Sequence, residues 1–155
     1  MNETHSLQKG FTLVEILIVL ALIAILVGAV LVALNPGRQF ASARNATRYS
    51  HLNTIMNAVS SNAAENNGLF TCASAGTVPT TATEMGSGTG LYDMGPCLVT
   101  EYLPSMPVDP SDTDAQWTLE TNYATGYTIA RDATTGAITL SAPSAEISAT
   151  ISVTR

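Results

Sequence analysis

The stretch from Phe11 to Leu34, FTLVEILIVLALIAILVGAVLVAL, holds one charged side chain, Glu15, and one other polar side chain, Thr12. Wound as a helix at 1.5 Å per residue it reaches about 36 Å, enough to cross a bilayer core of roughly 30 Å. A carboxylate inside a membrane helix costs a few kcal/mol and ordinarily has a partner or a function. A plain membrane anchor therefore accounts for the length of the run but not for Glu15. A cleaved secretory signal fits less well, because its apolar region is roughly 7 to 15 residues and ends at an A-x-A site. Ala41-Ser42-Ala43 has that local pattern, but Asn35-Pro36-Gly37-Arg38 stands between it and a run that is already too long.

A chain of 155 residues has room for one domain, or one domain with an appendage. Asp, Glu, Lys and Arg make up 12% of it, about half the usual share. Ala, Ser, Thr, Gly and Asn are abundant instead, which suits an exported protein better than a cytosolic enzyme. The net charge of −6 repels phosphate backbones and anionic lipid, so nucleic acid is not an expected partner. Lys9 is the only basic residue before the apolar run, whereas Arg38, Arg44 and Arg48 follow it. A simple count of flanking charge thus favours keeping the C-terminal part inside, although long domains translocate largely regardless of that count.

Lys9-Gly10-Phe11-Thr12-Leu13-Val14-Glu15 resembles the processing motif of type IV pilins and of the pseudopilins of type II secretion. The shared features are a short polar leader ending in Lys-Gly, an aromatic first mature residue, an acid at the fifth mature position and continuous hydrophobicity after it. The resemblance implies that prepilin peptidase removes Met1 to Gly10 and that the new amine of Phe11 is N-methylated. It also implies a single-pass precursor in the inner (cytoplasmic) membrane, handled by an assembly platform there. Copies of the chain and other pilins then form a helical filament, an extracellular pilus or a periplasmic pseudopilus. Cutting after Gly10 exposes an amine one helical turn from Glu15. In a stacked fibre the Glu15 of one subunit meets the Phe11 amine of its neighbour, and two groups that are costly in an apolar surround become a neutral pair that sets the axial register. Glu15 is also placed to satisfy its own helix N-terminus, and the two roles are compatible.

Asn35-Pro36-Gly37 interrupts the helical pattern and predicts a kink or melted turn, or a loop joining two helices. Beyond it Phe40, Ala43, Ala46, Tyr49, Leu52, Ile55, Met56, Val59 and Ala63 recur at helical spacing, and Asn66-Asn67-Gly68 reads as the stop. The expectation is an extended helix from about Phe11 to Asn66. Residues 67–100, dense in Gly, Thr, Ser and Pro, read as a surface loop without a phosphate-binding pattern. Cys72 and Cys97 bracket most of it. In an exported protein oxidation is permitted, and a bond between them is expected in preference to free thiols or a metal site.

Leu98 to Leu103 predicts one helical turn ended by Pro104. The following Leu103-Pro104-Ser105-Met106-Pro107-Val108-Asp109-Pro110 resembles the Leu-Pro-x-x-Pro-x-Asp-Pro stretch of major pseudopilins and related pilins, some of which hold calcium in a nearby loop. Asp109, Asp112 and Asp114 are the weak calcium candidates. The full EF-hand spacing is missing, so turn-forming aspartates are the preferred reading and no cofactor is expected. Alternation at Trp117/Leu119, at Tyr127/Ile129/Arg131, at Ile138/Leu140 and from Ile147 to Val153 predicts strands, with a hairpin at 132–136.

The fold class is thus α+β. A long N-terminal helix, membrane-spanning in its first half, packs in its second half on a three- or four-stranded antiparallel sheet. The organisation is a leader at 1–10, a transmembrane and fibre-assembly helix at 11–34 and an exported head at 35–155. Within the head, 35–66 continues the helix, 67–100 is loop and 101–155 is the sheet region. Catalysis is not expected. His5 leaves with the leader, His51 reads as a surface helix residue, and Glu101 and Asp109 read as solvated. The leading function is a subunit of a type IV pilus filament, used in adhesion, motility or DNA uptake. A major-type pseudopilin of type II secretion is the alternative, and an uncut Met1 to Gly10 would point instead to a monomeric membrane-anchored binding module.

Overall fold

The computed structural model describes residues 10–155, so the expected leader up to Lys9, with His5, lies outside the described residues. The chain divides into two units, the first ending at Gln39 and the second running from Phe40 to Arg155. The first is built on α1 (Leu13–Leu34), which has no buried residue. Its large aliphatic side chains are open all round, from 48% exposure at Ile16 and Val19 to 84% at Val32. A helix that is apolar on every face requires an apolar surround. α1 stops at Asn35, whose φ of 42° lies in the left-handed region. The sequence-predicted interruption is thus a single left-handed residue. Pro36 then opens α2 (Pro36–Glu65), where its missing N–H is no loss, and the Asn35 side chain accepts from the Arg38 N–H at 3.4 Å.

The second unit is the α+β head. β1 (Thr83–Gly86), α3 (Gly95–Leu98), β2 (Gln116–Leu119), β3 (Asn122–Arg131), β4 (Ile138–Ser141) and β5 (Ser152–Thr154) follow α2. The strands make one antiparallel sheet of five, one or two more than expected, in the order β1-β3-β4-β5 with β2 also on β3. Ala124 of β3 has a partner on each edge, Gly86 of β1 and Gln116 of β2, so β2 lies along the same edge of β3 as β4. Leu52, Ile55, Met56 and Val59 of α2 pack in one core with Met85, Tyr127, Ile129 and Leu140 of the sheet. β3 bulges at Gly126, whose φ of +71° favours glycine. The buried Thr125 hydroxyl there donates to the Met85 carbonyl at 2.9 Å.

Four expectations change. Residues 67–100 are not all loop, because Thr83–Gly86 joins the sheet through one inward residue, Met85, too short a strand to show alternation. The short helix begins at Gly95-Pro96 and ends at Leu98, and Thr100 then takes a φ of 74° where a helical turn was expected. Ile147 and Ala149 are not in a strand, since Ile147 and Ser148 have φ of 58° and 55° and the sheet resumes only at Ser152. On α2, Phe40 and Tyr49 are 64% and 56% exposed, and the buried line runs through Ala41, Arg48, Leu52, Ile55 and Val59. Arg48 takes the inward position of its turn, one residue before Tyr49, which was expected there.

Candidate assembly site

Gly10 and Phe11 are exposed, and among the described residues nothing lies within 4 Å of where a side chain on Gly10 would begin. The proposed cleavage point is therefore open backbone. The next residue, Thr12, is extended at φ −80°, ψ 151° and caps α1. Its hydroxyl accepts from the Glu15 N–H at 3.2 Å, while the Glu15 Oε2 accepts from the Thr12 N–H at 3.4 Å. This reciprocal pair satisfies two N–H groups that the start of a helix leaves without partners. Glu15 thus performs the self-capping role with one oxygen, and Oε1 takes no part in the box. The cap fixes the acid beside Thr12, at the end of the helix where negative charge is favoured.

In the head, Cys72 and Cys97 are joined as a disulfide, and no free cysteine remains. β1 lies inside the loop that this bond closes. Asp109 is not solvated as expected. It is 3% exposed and paired with the fully buried Arg48. Arg48 donates from Nε to Oδ2 at 2.7 Å and from Nη2 to Oδ1 at 3.0 Å. Oδ1 also accepts from the N–H groups of Ser111 and Asp112. The remaining donors of Arg48 reach Asn45 Oδ1 at 2.8 Å, Glu146 Oε2 at 3.0 Å and Ser111 Oγ at 2.5 Å. Arg44 binds Glu146 from the other side, at 2.6 and 2.5 Å.

Both Asp109 oxygens are therefore committed to Arg48. Asp112 Oδ1 accepts from the Asp114 N–H at 3.0 Å, an Asx-type turn, and Asp112 Oδ2 accepts from the Ser144 hydroxyl. Among the described residues no group of three His, Cys, Asp or Glu side chains is disposed to hold a metal ion.

Hydrogen bonds from Arg44 and then Arg48 hold the Glu146 carboxyl down to about 2. Burial pushes Asp109 upward, but the bonds from Arg48 outweigh it and leave Asp109 below its ordinary value. His51 is not simply a surface residue either. It is half-buried, with Nδ1 at 2.9 Å from the Tyr127 hydroxyl, and burial lowers its pKa. The sequence reading missed Arg44, Asn45, Arg48 and Glu146 as a group. The available signal was that Arg48 stands four residues before Leu52 and seven before Ile55, in line with the buried face.

No curated protein and no solved structure matches the chain. Residues 5–31, which contain Gly10, Phe11, the Thr12 cap, Glu15 and most of α1, match the family model of the prokaryotic N-terminal methylation motif, so the chain carries the signature of type IV pilins and pseudopilins.

Proposed function

We propose that the chain is a structural subunit of a type IV pilus filament, cut by prepilin peptidase between Gly10 and Phe11, N-methylated on Phe11 and assembled through α1. The observation that carries this reading is a helix with every apolar side chain exposed, directly behind a methylation motif. Before assembly the inner membrane covers α1, and the assembly platform there receives it. In the fibre, copies of α1 and of other pilins cover one another. The disulfide fits a head exported to an oxidising compartment. Adhesion, motility or DNA uptake are the uses such a filament serves.

The major-type pseudopilin of type II secretion is favoured by one feature, the Leu103 to Pro110 stretch, and would place the fibre in the periplasm. N-terminal sequencing of the native protein tests the processing. N-methylated Phe11 is the expected first residue, and an intact Met1 overturns the proposal. Shearing the cells then separates the two readings: fibre containing this chain is released from the surface of a piliated cell, whereas a pseudopilus stays behind the outer membrane.

A further inference from the structure

The second unit, Phe40–Arg155, contains four arginines. Arg44 and Arg48 are consumed by Glu146 and Asp109. The other two, Arg131 and Arg155, form no ion pair among the described residues, and both line a single groove of about 620 Å³. Val59, Leu69, Phe70 and Ile138 supply its apolar wall, and Leu69 is 65% exposed there. Arg155 is held in place. Its Nη1 donates to Asn57 Oδ1 at 2.9 Å and to Ser60 Oγ at 3.3 Å, and its main-chain oxygen accepts from the Ile138 N–H at 2.7 Å. The adjacent acid, Asp132, does not answer Arg131. Its Oδ1 is turned into the hairpin, accepting from the N–H groups of Thr134 and Thr135. The groove thus presents an apolar wall beside two unpaired guanidinium groups, which suits an apolar side chain next to a carboxylate.

The same head displays that pair. The two-residue turn between β2 and β3 is Glu120-Thr121. Leu119 beside it is 49% exposed, and Glu120 makes no ion pair among the described residues. This turn stands at the start of β3, whereas Arg131 ends β3. Ten strand residues separate the two features by roughly 25 to 30 Å. The turn therefore cannot reach the groove of its own chain. It can reach that of a second copy, and a contact between two different patches at opposite ends of one strand is head-to-tail, the kind that propagates rather than closing as a dimer.

We propose that the Leu119-Glu120 turn of one head docks in the Arg131/Arg155 groove of the next, with Glu120 between the two guanidinium groups and Leu119 against Leu69 and Phe70. The proposal rests on the filament reading above and adds to it a specific contact between heads.

The full chain carrying Glu120→Cys and Arg131→Cys together, expressed in a fibre-forming host and oxidised, tests it. The two new thiols are too far apart to pair within one chain. A ladder of dimers, trimers and longer cross-linked species on a non-reducing gel is expected, while each single-cysteine variant yields no ladder. Charge exchange is the second measurement. Glu120→Arg alone, and Arg131→Glu with Arg155→Glu, each lower the yield of sheared fibre roughly tenfold, and combining all three restores it, which misfolding would not allow. Fibres without a ladder and without restoration overturn the head contact and leave the filament reading intact. If the unmutated chain makes no fibre, the filament reading falls and the head contact falls with it.

Discussion

Arg48 grips Asp109 with two parallel hydrogen bonds, Nε to Oδ2 at 2.7 Å and Nη2 to Oδ1 at 3.0 Å, and both side chains are out of contact with water. The pair ties α2 to the segment that follows Pro107, and Glu146 closes it from a third part of the chain. A desolvated guanidinium is tolerated only because its donors are fully used. Among the described residues no buried side-chain nitrogen or oxygen lacks a partner.

Removing one side of that pair leaves the other charge buried. Asp109→Ala is expected to destabilise the head by about 3 to 5 kcal/mol, whereas replacing both, Arg48→Met with Asp109→Leu, costs less than the single change because no orphaned charge remains. Urea unfolding of the full chain in detergent, followed by near-UV circular dichroism, checks this. A shift for Asp109→Ala no larger than about 0.5 kcal/mol, the scale of an ordinary surface substitution, would contradict it.

The same seam sets the response to acid. Glu146 and Asp109 both have folded-state pKa values below the ordinary 4.5 and 3.8, so their contribution is full above those values and is lost as pH falls, for Glu146 down to about 2. His51 adds an earlier step. Burial lowers its pKa below 6.5, so the folded state resists the proton that the unfolded chain accepts, and stability declines as pH drops from about 6.5. The melting temperature is expected to fall in two limbs. His51→Gln removes the upper one. Glu146→Gln lowers the melting temperature at neutral pH and flattens the limb below 4.5. An unchanged acid limb in Glu146→Gln would rule out the seam as its cause.

The sequence made α1, the break at Asn35, the disulfide and most of the C-terminal strands legible, because each rests on a local pattern. An unbroken apolar run, a proline after an asparagine, two cysteines and period-two alternation need no tertiary partner to be read. Met85 in β1 and Arg48 in α2 were opaque for the opposite reason. Met85 is one inward residue among threonines and glycines, and becomes a strand position only because β3 offers an edge. Arg48 belongs inside only because Asp109, distant in sequence, neutralises it. The methylation motif was readable residue by residue, yet the Thr12–Glu15 cap depends on Thr12 leaving helical geometry, which the motif itself does not state.

The Cys72–Cys97 bond encloses β1, and β1 pairs with the bulged part of β3. Closing a loop of this size is worth about 3 kcal/mol in the chain-entropy account. Reduction, or Cys72→Ser with Cys97→Ser, is therefore expected to lower stability by roughly that amount and to free the edge of the sheet first. Hydrogen exchange provides the check: amides of Met85 and Gly86 should lose protection before those of Ile129 and Leu140. Uniform loss across the sheet would mean that β1 is not an independent edge.

Glu15 caps α1, the proposed assembly role is a second one, and one substitution separates the two. Gln at this position keeps an oxygen to accept from the Thr12 N–H, so Glu15→Gln preserves the capping box while removing the charge. Glu15→Ala removes both, at a helix cost of about 1 kcal/mol. If the carboxylate only caps α1, Glu15→Gln assembles as the unmodified chain does and Glu15→Ala is the impaired variant. If it pairs with the Phe11 amine of a neighbouring subunit, both variants lose fibre to a similar degree although Glu15→Gln retains its helix start, since an amide cannot neutralise an ammonium in an apolar surround. The expected outcome is the second, measured as sheared fibre from cells that process Phe11 normally. Comparable processing in all three proteins assigns the loss to assembly.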